Sequence, residues 1–258
     1  MQDGFQLELS AIELAVLAGL LNYDSVPGIG EAVDPAADLR ATVRQAVRRL
    51  ERKRLVRYGL EGVLYVRSEL RRTMLCLCDA RTVGLFTSDL SSGKRATTYV
   101  LEKDADTVLL QAAGSGRFRL RLTDTVTPQE LLPQAVLTAA CDELCESMLL
   151  EEAQLIRRQM AAFDREAARQ RALACVHRPE AAARITDVLS GRGGYLSVQI
   201  YQRHGRLYET VFHTLVAVAD GCAMRVSVDT YDVVHFESVP MGWLPEQLQA
   251  RLSERGEG

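Results

Sequence analysis

The chain has 258 residues, 31 basic and 34 acidic, for a formal net charge of −3; 47% are hydrophobic and 25% charged. These are the proportions of an ordinary globular protein with enough apolar material for one large domain or two of moderate size, and they exclude a disordered tail, a collagen-like rod and a small disulfide scaffold. No run of apolar residues is long enough for a membrane span, and the opening Met1-Gln-Asp-Gly-Phe5 lacks the basic and apolar regions of a secretory leader, so neither is expected.

In chain order, Ser10 is placed to cap a helix over 9–22 that is apolar over most of its surface. Pro27, Gly28, Gly30 and Pro35 mark a loop. A second helix over 38–53 carries Leu39, Val43, Ala46, Val47 and Leu50 on one face and Arg40, Arg44, Arg48 and Arg52 on another. Two short β-prone runs around Gly59 and Gly62 follow, and a helix leading into a small hairpin resembles a winged-helix module. From 72 to 122 the period falls to two, and 73–78, 82–88, 96–102, 106–112 and 118–123 read as five antiparallel strands joined by turn residues. Thr127, Pro128 and Glu130 form a helix start, with the helix expected over 128–148. Helical character continues through 150–176, where Leu149, Ala153, Ile156, Met160, Phe163 and Ala167 follow a four-three spacing. Pro179 opens a short helix ending near Ser190 before Gly191. Four further strands fill 195–238, and Leu244, Leu248 and Leu252 share a face of a closing helix.

The order of helices, strands and helix therefore occurs twice. The segments 118–137 and 233–252 each run from an alternating strand through a Pro-containing linker into an amphipathic helix. The predicted fold class is α+β, a pseudo-duplicated unit of helices plus antiparallel sheet with a winged-helix-like N-terminal segment. The expected halves are 1–148 (helices 9–53, strands 55–122, helix 128–148) and 149–258 (helices 149–190, strands 195–238, helix 244–254).

Cysteines stand at 76, 78, 141, 145, 175 and 222 with no Cys-x-x-Cys pair, and read as small buried side chains in a reducing cytoplasm. A metal at Cys141 and Cys145 would need two more ligands, and no His is near in sequence. The histidines at 177, 204, 213 and 235 form no metal-binding or hydrolase motif. Ser91-Ser-Gly-Lys94 fails as a phosphate loop because Arg95 follows the Lys, and Gly191-Arg-Gly-Gly194 precedes a strand rather than a helix. The chain is therefore expected to be no enzyme and to use no cofactor and no metal; Asp229, Asp232 and His235 form the one dispersed trio an enzymatic reading would use.

Between 40 and 58 the basic residues 40, 44, 48, 49, 52, 53, 54 and 57 face a single acid, Glu51. This supports an alternative function, a winged-helix transcriptional regulator with a C-terminal sensory or dimerisation β domain, in which Arg40, Arg44, Arg48 and Arg52 contact nucleic acid. Against it, Thr42 and Gln45 are the only residues in the helix suited to reading base edges.

Three features together carry a resemblance. The opening Leu9-Ser-Ala-Ile-Glu13 has the form Leu-[ST]-x-x-Glu, a basic helix feeds a sheet, and Leu122-Thr-Asp-Thr-Val-Thr-Pro128-Gln-Glu-Leu131 leads a strand into a Pro-x-x-Leu helix. With the doubled α+β order, the whole chain resembles the EspG family of type VII (ESX) secretion-associated chaperones. The resemblance implies a cytoplasmic, non-enzymatic chaperone that binds a helical secreted substrate of the WXG100 or PE/PPE kind and keeps it soluble for export. It implies contact through a loop from the sheet and through helices of the second half. The matching positions are Asp89, Leu90, Ser91, Ser92, Gly93, Lys94 and Arg95, together with Ile156, Met160 and Phe163.

Overall fold

The computed structural model describes residues 5–24, 26–27, 29, 39–61, 63–90, 94–139, 143–191, 194–219 and 221–253. The chain is α+β and pseudo-duplicated. The first repeat runs β1 (Gln6–Ser10), α1 (Ala11–Leu20), α2 (Leu39–Arg52), the hairpin β2 (Val56–Tyr58) and β3 (Leu64–Val66), and α3 (Ser68–Cys78). It continues with β4 (Thr82–Leu90), β5 (Lys94–Lys103), β6 (Asp106–Gly114), β7 (Arg117–Thr123), and the short helices α4 (Pro128–Leu131) and α5 (Gln134–Leu137). The second runs β8 (Cys145–Leu149), α6 (Leu150–Ala161), α7 (Arg165–Cys175), α8 (Pro179–Leu189), β9 (Gly194–His204), β10 (Leu207–Ala219), β11 (Cys222–Val228), β12 (Val233–Ser238) and α9 (Trp243–Ser253).

Strand order along the hydrogen-bonded sheet is β1-β7-β6-β5-β4-β9-β10-β11-β12-β8. Each repeat thus opens with a strand, inserts helices, makes a four-strand meander and pairs its last strand with its first: β7 with β1, and β12 with β8. The chain also divides into two compact units, one of residues 1–85, 97–126 and 201–209, the other of 86–96, 127–200 and 210–258. In the first, Leu9, Leu14, Leu17 and Leu50 close against Leu70, Met74 and Leu77 of α3 and Leu101, Leu110 and Leu120 of the meander. In the second, Ile156, Ala168, Ala172 and Ile185 of α6, α7 and α8 pack with Met224 and Phe236 of the strands.

Several elements differ from the sequence expectation. Residues 73–78 are helical, inside α3, because Leu70, Met74 and Leu77 fall on one helical face and all three are fully buried. The helix expected over 128–148 breaks at Pro133. Leu132 before it is extended (φ −97°, ψ 136°), as a residue preceding proline prefers, and 145–149 forms β8 with Glu146 and Met148 inward. The opening strand β1 takes the first residues of the expected first helix. Helix 150–176 is two helices, parted at Phe163. Cys222 is disulfide-bonded, against the reading of all six cysteines as thiols; Cys76, Cys78, Cys145 and Cys175 are free, and Cys141 lies outside the described residues. Burial drives the Cys76 thiol up to about 12, and it donates to the Leu101 carbonyl (3.0 Å), an inert arrangement.

Candidate partner-binding surface

The Leu-[ST]-x-x-Glu opening is a helix cap. Ser10 Oγ accepts the Glu13 N–H (3.2 Å), and the Glu13 carboxylate accepts the Ser10 N–H (2.7 Å). Glu13 is 3% exposed, and the Lys53 ammonium of α2 lies 2.9 Å from it while also donating to the Glu8 carbonyl. The motif therefore ties α1 to the end of α2 and takes no part in an external site. Glu130 likewise accepts the Thr127 N–H at the start of α4 (3.0 Å).

The first proposed contact region is the β4–β5 hairpin. Asp89 and Arg95 are exposed on its two arms, and Leu90 and Lys94 end the strands. Ser91, Ser92 and Gly93 lie outside the described residues. The second is the α6–α7 helical pair. Ile156 is fully buried, so it supports this surface from beneath and touches nothing outside, a correction to its expected role as a contact. Met160 is half-buried against the core. Phe163, which caps the turn, is 88% exposed.

Phe163 has φ +64°, in the left-handed region that a bulky residue seldom enters. Its N–H bonds to the Met160 carbonyl (3.1 Å), and the Asp164 N–H bonds to the Gln159 carbonyl (2.9 Å). Asp164 then caps α7 by accepting the Ala167 N–H (3.2 Å). Glycine usually fills such a helix end. Here an aromatic ring is held out into solvent at some cost in backbone strain.

Beside it runs a groove of about 640 Å³ lined by Glu152 and Gln159 of α6 and by Ala167, Gln170, Arg171, Ala174 and Cys175 of α7. Arg171 donates to Glu152 (2.8 Å), and burial raises the Cys175 thiol pKa, with the Glu152 charge adding to it. Gln159 Oε1 is buried with no hydrogen-bond partner among the described residues. Helical periodicity marked the apolar side of α6 but not this groove, because the polar residues lining it are ordinary solvent-face residues in sequence.

Other charged groups are structural. Asp79 is held by Lys103 and by Arg203, whose hydrogen bonds lower its pKa, with Tyr208 bonded to the Ala80 carbonyl alongside (2.7 Å). Glu146, on β8, loses solvation on burial. Even so, the His177 and Arg178 backbone N–H groups (2.8 and 3.0 Å) hold its pKa below the usual value. Asp229 accepts two backbone N–H groups of its own β-turn and pairs with His235 (3.0 Å), and Asp232 follows in the same exposed turn, so the dispersed trio is a hairpin device. Arg40, Arg44, Arg48 and Arg52 are exposed along α2. Arg44 and Arg52 fold back onto the Arg40 and Arg48 carbonyls (3.3 and 3.4 Å). No group of three or more metal-ligating side chains, and no helix long and apolar enough to cross a membrane, occurs among the described residues.

No protein-family model and no curated protein sequence matches the chain. Among solved structures it is similar to the Mycobacterium tuberculosis type VII secretion system chaperone EspG5, solved in complex with a PE25–PPE41 dimer. The TM-score is 0.60 at 11% identity, over 96% of this chain and 95% of that one. The fold is thus that of EspG5, shared over nearly the whole of both chains at 11% sequence identity.

Proposed function

We propose that this protein is a chaperone of a type VII secretion system that binds the helical tip of a secreted substrate and keeps it soluble for export. The observation supporting this is the agreement in fold, over nearly the full length of both chains, with EspG5, a chaperone solved bound to a PE25–PPE41 dimer. Secreted helical tips expose apolar side chains that aggregate unless covered. The α6–α7 pair offers an exposed aromatic, a half-buried methionine and a groove with an acceptor unpaired among the described residues. The β4–β5 hairpin, through Asp89, Arg95 and the residues between them, is the second contact. On this reading the protein is cytoplasmic, works without cofactor or metal, and catalyses nothing. The two halves expected at 1–148 and 149–258 form a duplicated unit that divides before β8, at Cys145, and the second carries the helical contact.

Co-expression with the small helical proteins encoded beside it tests the proposal. A soluble complex is expected, with recovery of the substrate falling when Phe163→Asp replaces the wild type. Substrates equally soluble with and without the chain would sink it. The compartment has its own test. Disulfides persist mainly in oxidising surroundings, so the bond at Cys222 counts against a cytoplasmic chain. If the protein is cytoplasmic, alkylation in lysing cells should modify Cys222 as a thiol; Cys222 protected from alkylation until a reductant is added would place it elsewhere.

A further inference from the structure

The β2–β3 hairpin has a surface that substrate binding by α6 and α7 does not use. Leu60 at its turn is completely exposed, and Tyr58, Val63 and Tyr65 beside it are each about half exposed. Four large apolar side chains on so short a projection are unusual on a soluble surface. The tip is built to a definite shape. The Gly59 N–H closes the turn on the Val63 carbonyl (2.8 Å), and a Cβ at Gly59 would stand 2.5 Å from the Tyr65 ring. Only glycine lets that ring lie across the turn. On its other side the Arg57 guanidinium sits 5.8 Å from the ring centroid.

Arg54 and Arg57 stand at the base of the hairpin, and together with Glu51, Tyr65, Arg67 and Ser68 they line a cleft of about 530 Å³ in which the arginines outnumber the one acid. Arg67 is already paired with Glu69, and Glu61 is the acid on the turn. The adjoining α2 adds exposed Arg40, Arg44, Arg48, Arg49 and Arg52. An apolar tip with tyrosines beside it and arginines behind it is the arrangement that lodges in the headgroup layer of an anionic membrane.

We propose that the β2–β3 hairpin docks this protein peripherally on an anionic lipid surface, Leu60 entering the acyl boundary while Arg54 and Arg57 meet lipid phosphates. A nucleic-acid backbone would use the same arginines but gains nothing from a protruding leucine, so the apolar tip favours lipid. The inference does not depend on the chaperone reading.

Co-sedimentation of the full chain with phosphatidylcholine vesicles, and with equimolar phosphatidylcholine and phosphatidylglycerol vesicles, tests it. Wild type pellets with the anionic vesicles only, and high salt reduces the pelleted fraction. Leu60→Asp, at a fully exposed position that leaves the fold unchanged by circular dichroism, lowers partitioning by roughly tenfold or more. Leu60→Trp preserves it, and Arg54→Glu with Arg57→Glu abolishes it. Failure of the wild type to pellet, or equal pelleting of Leu60→Asp, overturns the proposal. So does tight binding of duplex DNA by wild type and Leu60→Asp alike without vesicle binding, which would assign the surface to nucleic acid.

Discussion

On the proposed function, Phe163 separates stability from binding within one side chain. Its left-handed backbone costs a non-glycine residue about 1–2 kcal/mol, and its exposed ring recovers none of that inside the fold. Phe163→Gly should therefore leave the urea midpoint unchanged or raise it, while substrate binding weakens at least tenfold in titration calorimetry; a lowered midpoint would mean that the ring packs on its own chain. Asp79 behaves oppositely. Lys103 and Arg203 hold its pKa below the ordinary 3.8, so the stability it contributes is complete above that value and disappears as pH falls through the lowered one. Asp79→Asn should cost about 1–2 kcal/mol at pH 6 and should shrink the difference in urea midpoint between pH 6 and pH 3. An undiminished pH difference would assign the acid sensitivity to other carboxylates.

The α6–α7 pair shows the same division between elements. Ile156 is enclosed by alanines of α7 and α8, whose small side chains let the helices approach closely. Ile156→Ala should destabilise the protein by about 2–5 kcal/mol, yet affinity per folded molecule, measured on the native fraction, should not move. A specific loss of affinity would make it a contact after all. The apolar period over 150–176 found the buried side of α6 in Ala153 and Ile156 but missed that of α7, where Ala168 and Ala172 are buried rather than Ala167. It could not show their separation, because Phe163 continues the spacing while its backbone breaks the helix. The meander β5 to β7 and the closing α9 were legible from alternation and a leucine face. The short strands β1 and β8 were not, since five residues beside a helix cap or a proline-broken segment give too few periods. Residues 73–78 misled for the related reason that a short apolar run fits either period until Leu70 is included. Pro133 was the available sign that 128–148 could not be one helix.

For the whole molecule, the doubled order of elements was readable because each repeat spends a long alternating stretch on its meander and follows it with helix-forming sequence, which folds as α4 and α5 in the first repeat and as α9 in the second. The surfaces were less readable, because exposure at Phe163 and Leu60 depends on backbone turns that neither residue announces. An 11% identical sequence keeping the EspG5 fold over 96% of its length means that buried pattern and turn geometry, not side-chain identity, preserve the architecture. On the proposed reading, function then rests on the side chains that this chain displays. The most direct measurement is size-exclusion chromatography with light scattering on the 28.6 kDa chain mixed with a helical secretion substrate from its own gene neighbourhood. The account predicts a single species whose mass is the sum of chaperone and substrate, dissociated by Phe163→Asp. Separate peaks at the individual masses for every such substrate, at concentrations where the substrate is folded, would contradict it.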